Sequence, residues 1–63
     1  MKTAYQIMSK TTWTTFGVYE ATGPQEALDL FSQARHGRTW KDACASLGLS
    51  PDFKIADNNR IYI

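Results

Sequence analysis

The chain has one cysteine, Cys44, and one histidine, His36, among its 63 residues. A single cysteine excludes an internal disulfide. One cysteine and one histidine are too few for the usual Cys and His ligands of a zinc site made only of protein side chains. We therefore expect no metal and no cofactor. A domain of this length buries only about 60% of the surface that its unfolded chain exposes, so a partner subunit is the remaining source of extra stability.

Long apolar runs and an excess of charge of one sign are also missing. No segment approaches the roughly 20 apolar residues of a membrane span. Met1-Lys2-Thr3 leads directly into strand-like sequence, without the apolar region of a signal peptide. The formal net charge of +1 gives no bulk attraction to nucleic acid or to membranes. We expect a cytoplasmic protein with no membrane partner, and its compactness favours a bacterial or phage origin.

Low-complexity sequence, repeats and linkers are absent as well, which leaves one domain over residues 1–63. Hydrophobic residues make up 43% of the chain and aromatic residues 13%, a composition typical of folded proteins. The apolar pattern changes from period two to period 3.6 and back again. It predicts strand, strand, helix, helix, strand and strand over residues 3–8, 13–21, 24–35, 40–47, 53–56 and 60–63.

This order predicts a small two-layer α+β domain with a mostly antiparallel four-stranded sheet and two helices on one face. The sheet would consist of two hairpins, the second closed by Asp57-Asn58-Asn59, because Asn tolerates the positive φ of tight turns. The same order also fits a mixed sheet, since the helical crossover could make one pair of strands parallel.

Capping signals predict where the two helices begin and end. Pro24 suits the first turn of a helix, where its missing N–H would be unpaired anyway. Gly37 and Gly48 are placed to end the helices in the left-handed conformation. Thr39 is a candidate N-cap of the second helix, and Asp42 completes a pair that is similar to a capping box.

The stretch Gly17–Leu28, which reads GVYEATGPQEAL, is similar in style to the strand-to-helix joint of many small bacterial β–α domains. The HicB-type antitoxins are among the proteins that it resembles. The resemblance covers about a fifth of the chain. Its elements are capping and packing signals, so it implies a strand followed by a helix and no function.

Alternation sorts the strand side chains onto two faces of the predicted sheet. We assign to the helix-covered face Tyr5, Ile7, Phe16, Val18, Phe53, Ile55, Ile61 and Ile63, and we expect them to form one small core with Leu28, Phe31, Trp40, Leu47 and Leu49. We assign to the other face Gln6, Met8, Lys10, Trp13, Thr15, Gly17, Tyr19, Lys54, Ala56, Arg60 and Tyr62. Two short helices cannot cover both faces, so the second face is open to solvent or to a partner.

The open face mixes aromatic and cationic side chains, and it has no acid except at its edges. Its candidate binding residues are Lys10, Trp13, Tyr19, Lys54, Arg60 and Tyr62. An apolar and aromatic patch on a small domain is often covered by a second copy or a partner protein. We therefore predict a non-enzymatic interaction domain, most simply a homodimer, that acts through this face.

Single-stranded nucleic acid is the alternative ligand of the open face. Bases stack on exposed aromatic rings, and Lys or Arg neutralises the phosphates. A third interpretation needs no ligand, because Tyr, Trp and Lys are ordinary residues of a solvated antiparallel sheet.

A separate basic cluster, Arg35, His36, Arg38 and Lys41, falls at the joint between the helices. It could meet a phosphate or an acidic partner, although cations at the end of a helix also stabilise its dipole. No residue pattern indicates catalysis. Cys44 lies on the apolar stripe of a helix rather than at its N-terminus, and His36 has no evident nucleophile to serve.

Overall fold

The computed structural model, which describes residues 1–63, contains each predicted element with small shifts at the ends. Trp13 and Thr14, predicted in the second strand, lie in the loop before it. The predicted α+β class and the order of elements are confirmed. Neither helix is long and apolar enough to cross a membrane. The elements are β1 (Thr3–Met8), β2 (Thr15–Ala21), α1 (Pro24–His36), α2 (Trp40–Leu47), β3 (Lys54–Ala56) and β4 (Arg60–Tyr62).

The four strands form one mixed sheet in the order β2-β1-β4-β3. β1 pairs antiparallel with β2, and β3 pairs antiparallel with β4. The helical crossover returns the chain so that β4 lies parallel to β1 in the middle of the sheet. The mixed sheet is therefore the arrangement that forms. Asn58 and Asn59, with φ of 64° and 57°, make the predicted turn between β3 and β4.

One extra residue in β2 reverses part of the predicted assignment of side chains to faces. Thr15 pairs with Met8 and Gly17 pairs with Ile7, so that Phe16 is a bulge without a partner of its own. Beyond a bulge, the alternation of a strand is shifted by one residue relative to a regular count. The placement of Gly17 on the open face was wrong for this reason.

Tyr19 and Val18 exchange faces as a result of the same bulge. Tyr19 lies opposite Tyr5 on the helix-covered face, where its ring meets Phe31 edge-on with the ring centres 6.1 Å apart. A Cβ atom at Gly17 would lie 3.0 Å from the Tyr19 ring, so the missing side chain leaves room for it. Val18 points to the open face and is 60% exposed.

The core lies between α1, the N-terminal half of α2 and the two central strands. Trp40 at the start of α2 is nearly buried, and its indole N–H donates a hydrogen bond to the Pro51 carbonyl over 2.8 Å. This bond fastens α2 to the loop that leads into β3. The buried cluster consists of Ile7, Ala21, Ala27, Leu28, Phe31, Trp40, Cys44 and Ile61.

The predicted helix ends are confirmed, and the joint between the helices contains one further bond. Gly37 and Gly48 adopt φ of 70° and 71°, and the Thr39 hydroxyl accepts from the Asp42 N–H over 3.4 Å. In addition, the Asp29 carboxylate on α1 accepts a hydrogen bond of 3.0 Å from the backbone N–H of the first α2 residue. Since that N–H has no partner within its own helix, α1 caps α2.

Replacing Asp29 should weaken the joint between the helices. We expect Asp29→Ala to lower the free energy of unfolding by about 1 kcal/mol, the usual effect of losing an N-terminal cap. Asp29→Asn keeps an acceptor oxygen and should lose less than half as much. Urea unfolding of both variants measures the difference, and equal losses would show that the hydrogen bond is not the cause.

Ser32 on α1 is fully buried, and its hydroxyl has no hydrogen-bond partner. A buried polar group without a partner is destabilising. We therefore expect Ser32→Ala to raise the free energy of unfolding by about 1 kcal/mol more than Ser46→Ala. Ser46 is exposed on α2, so its replacement reports only the higher helix propensity of Ala. An equal gain in the two variants would mean that burial of the Ser32 hydroxyl carries no penalty.

Candidate binding face

The open face is the side of the sheet opposite the helices, and the strand register defines its members. Cross-strand neighbours share a face, which brings the side chains of all four strands together there. These side chains belong to Ala4, Gln6, Met8, Thr15, Val18, Glu20, Lys54, Ala56, Arg60 and Tyr62. The loop that joins β1 to β2 adds two more residues at one end.

Four of the six predicted binding residues line one cleft on this face. Lys10 and Trp13 from the loop meet Lys54 and Tyr62 from the last hairpin around a depression of about 440 Å³. The Trp13 and Tyr62 rings are in edge-to-face contact, with their centres 5.5 Å apart at an angle of 76°. Arg60 lies on the same face two residues before Tyr62. We call these five residues, Lys10, Trp13, Lys54, Arg60 and Tyr62, the aromatic-basic cleft. Tyr19, the sixth predicted binding residue, is not part of it because it lies on the helix-covered face.

The hairpin loop holds Trp13 in an unusual backbone conformation. Its φ is 60°, in the left-handed region, where a residue with a side chain is strained by about 1 kcal/mol. The Trp13 N–H donates to the Ser9 carbonyl over 3.0 Å, and the Ser9 N–H donates to the Thr14 carbonyl over 2.9 Å. The Ser9 hydroxyl accepts from the N–H groups of Thr11 and Thr12. The closed loop leaves the indole 65% exposed.

The cations of the cleft are free of side-chain partners. No side-chain hydrogen bond in the protein uses Lys10, Lys54 or Arg60. The acid of the open face is Glu20 on β2, which lies opposite Ala4 at the far end of the sheet. The cleft therefore combines exposed aromatic surface with local positive charge, although the whole chain is almost neutral.

The structure brings together only part of the basic cluster at the helix joint, because His36 borders one pocket with Arg38 and another with Arg35, and Lys41 borders neither. Arg35 packs its guanidinium 5.3 Å from the centre of the Phe16 ring. His36 and Arg38 line a small pocket in the helix layer, whereas Lys41 borders a different one. The first N–H of α2 is already bonded to a carboxylate, as described above, so that helix end is not a free anion site.

No cluster in the protein has the composition of a metal site. No three His, Cys, Asp or Glu side chains come close enough to hold a metal ion. Cys44 is buried, and the loss of water around it raises the pKa of its thiol. A thiol in this state is protonated at neutral pH, and such a thiol is a weak nucleophile.

Comparison of the chain with protein-family models, with curated proteins and with solved structures finds no match. None of these comparisons supports the resemblance of residues 17–28 to the HicB-type antitoxins.

Two replacements of Trp13 separate the strain of its backbone from the contact of its ring. Trp13→Ala loses the contact with Tyr62 and keeps a side chain at positive φ, whereas Trp13→Gly loses the contact and relieves the strain. We expect the Gly variant to be more stable than the Ala variant by about 1 kcal/mol. Thermal unfolding measures the difference, and equal stability would mean that the loop is not strained at this position.

Proposed function

We propose that this chain is a small non-enzymatic binding module whose open sheet face binds single-stranded nucleic acid. The observation that carries the proposal is the aromatic-basic cleft, where Trp13 and Tyr62 line one depression together with Lys10 and Lys54. Exposed rings offer stacking surface to any base, and the flanking cations can neutralise the phosphates of the backbone.

The open face suits an extended strand better than a double helix. Arg60 continues the positive charge from the cleft along β4, so a strand lying along β4 would meet cations at more than one of its phosphates. A duplex hides the faces of its bases in the stack, so the exposed indole of Trp13 would have nothing to stack on. We therefore expect a preference for unpaired strands with little dependence on sequence.

Self-association through the open face is the second candidate, and the observation that favours it is the exposure of Val18. An exposed valine on an uncovered sheet gives a second copy apolar surface to bury. Each copy, however, would bring three cations and one acid, Glu20, to such an interface. Both faces would therefore carry a net positive charge and repel each other, which is why we place self-association second.

Oligonucleotide binding tests the proposal directly. We expect the anisotropy of a labelled 12-nucleotide oligothymidylate to rise with protein at 50 mM NaCl. Three phosphate contacts predict an affinity about 20-fold lower at 200 mM NaCl. Stacking on Trp13 should also quench its fluorescence, whereas Trp40, which is nearly buried, should contribute a constant background.

Matched variants identify the face that binds. Lys54→Gln with Arg60→Gln should reduce the affinity and make its salt dependence shallower. Trp13→Gly should weaken binding at least about five-fold, the lower end of the effect of removing a stacking ring. Arg38→Gln with Lys41→Gln removes the same charge from the helix layer and should change little. Binding that falls equally in both double variants would contradict the proposed face.

Sedimentation of the free protein decides between the two candidates if no oligonucleotide binds at low salt. A mass that rises with concentration, and that Val18→Asp returns to the monomer value, would support self-association through the open face. In that case the nucleic-acid proposal is wrong.

A further inference from the structure

A second uncovered surface lies between α2 and the end of the sheet, on the helix side. Two neighbouring cavities, of about 180 Å³ and about 530 Å³, share the side chains of Phe16, Trp40, Leu49 and Ile63. Because these four side chains border both cavities, the two form one groove. The ring of Phe16 packs toward α1, so the groove lies on the helix side of the sheet, and it adjoins the cleft of the open face only at Lys10, which borders both.

The groove exists because α2 packs on α1 and not over the end of the sheet. Trp40 fills part of the space below α2, with its ring centre 6.4 Å from that of Phe31. After α2, the left-handed turn at Gly48 directs the chain away from the core. The prediction that Leu47 and Leu49 belong to the core was therefore wrong, and they are 59% and 58% exposed. Together with the partly exposed Phe16, they border a contiguous apolar surface of the kind that marks a docking site.

The two ends of the groove differ in charge. Arg35 and His36 border the smaller cavity, and the Arg35 guanidinium lies over the Phe16 ring. At the other end, Lys10 and Asp52 both border the larger cavity. An occupant that complements this pattern has apolar side chains along its length and an acidic residue beside Arg35.

We propose that the groove binds a short apolar segment of a partner protein, oriented by an acidic residue of that segment next to Arg35 and His36. A second copy of this chain is a poorer occupant. Two copies facing each other groove to groove would place either two Arg35 side chains together, or Arg35 beside both Lys10 and Asp52. In both arrangements the cations outnumber the acids, which opposes association. The proposal does not rest on nucleic-acid binding, because Arg35, His36 and Leu49, on which it depends, border the groove and not the cleft of the open face.

Selection from a displayed library of random 16-residue peptides tests the proposal without knowledge of the partner. Peptides enriched on the whole protein should contain two or three large apolar residues and an acidic residue toward one end. Leu49→Asp should weaken their binding at least about ten-fold, because one anchor contact of an interface contributes on that scale. Arg35→Gln should weaken it about three-fold or more, as loss of one partly exposed charge pair does.

Val18→Asp is the matched control, since it places the same charge at an equally exposed apolar position on the open face. Peptide binding should be unchanged in this variant. Leu47→Asp repeats the test at a second position of the groove, and amide spectra verify that every variant is folded.

Three results would overturn the proposal. The first is that no peptide is enriched, and the second is that the enriched peptides are basic or bind the Leu49→Asp variant unchanged. The third is that the protein forms a dimer in sedimentation that Leu49→Asp dissociates, because a second copy would then occupy the groove.

Discussion

The bulge at Phe16 is the constraint on which both surfaces of the protein depend. A regular hairpin would have turned Tyr19 outward and Val18 toward the helices. With one extra residue in β2, the Tyr19 ring instead packs on Phe31 within the domain. Phe16 itself turns toward α1 and becomes both the floor of the groove and the surface on which Arg35 rests. A single unpaired residue thus fixes which aromatic rings are structural and which are exposed.

The size of the domain explains why two surfaces remain uncovered. Two helices of 13 and 8 residues can screen one side of a four-stranded sheet, and the shorter one does not extend over its end. The second side and the end of the apolar layer are left to solvent, because the chain has no further element to place there. The Asp29 carboxylate fixes α2 on α1, and the Trp40 indole fixes α2 to the loop before β3. Neither hydrogen bond moves α2 over the end of the sheet, so the groove stays open.

The parts of the fold that the sequence predicts are those set by neighbouring residues. Gly37, Gly48 and Asn58 end or turn elements through their own backbone preferences, so the element boundaries follow from them. The face occupied by Tyr19 could not be predicted, because the bulge arises from pairing with β1 and leaves no local signal. The bond from Asp29 to the Trp40 N–H joins residues 11 apart, and it exists only once the helices pack.

The cleft was predictable in most of its members, Trp13 among them. The alternation of the predicted strand placed Trp13 on the open face, but its position in the loop before β2 and its left-handed backbone could not be predicted. Glycine would fit this turn with less strain, and a polar residue would cover the loop without exposing an indole. The backbone conformation at position 13 therefore favours glycine, whereas the residue present is tryptophan. This disagreement lies beside three cations that have no side-chain partner. In folded proteins such disagreements concentrate at functional sites, and here strain, exposed aromatic surface and unpaired charge coincide in one cleft. This coincidence is the strongest physical reason to seek the ligand of the protein on the open face.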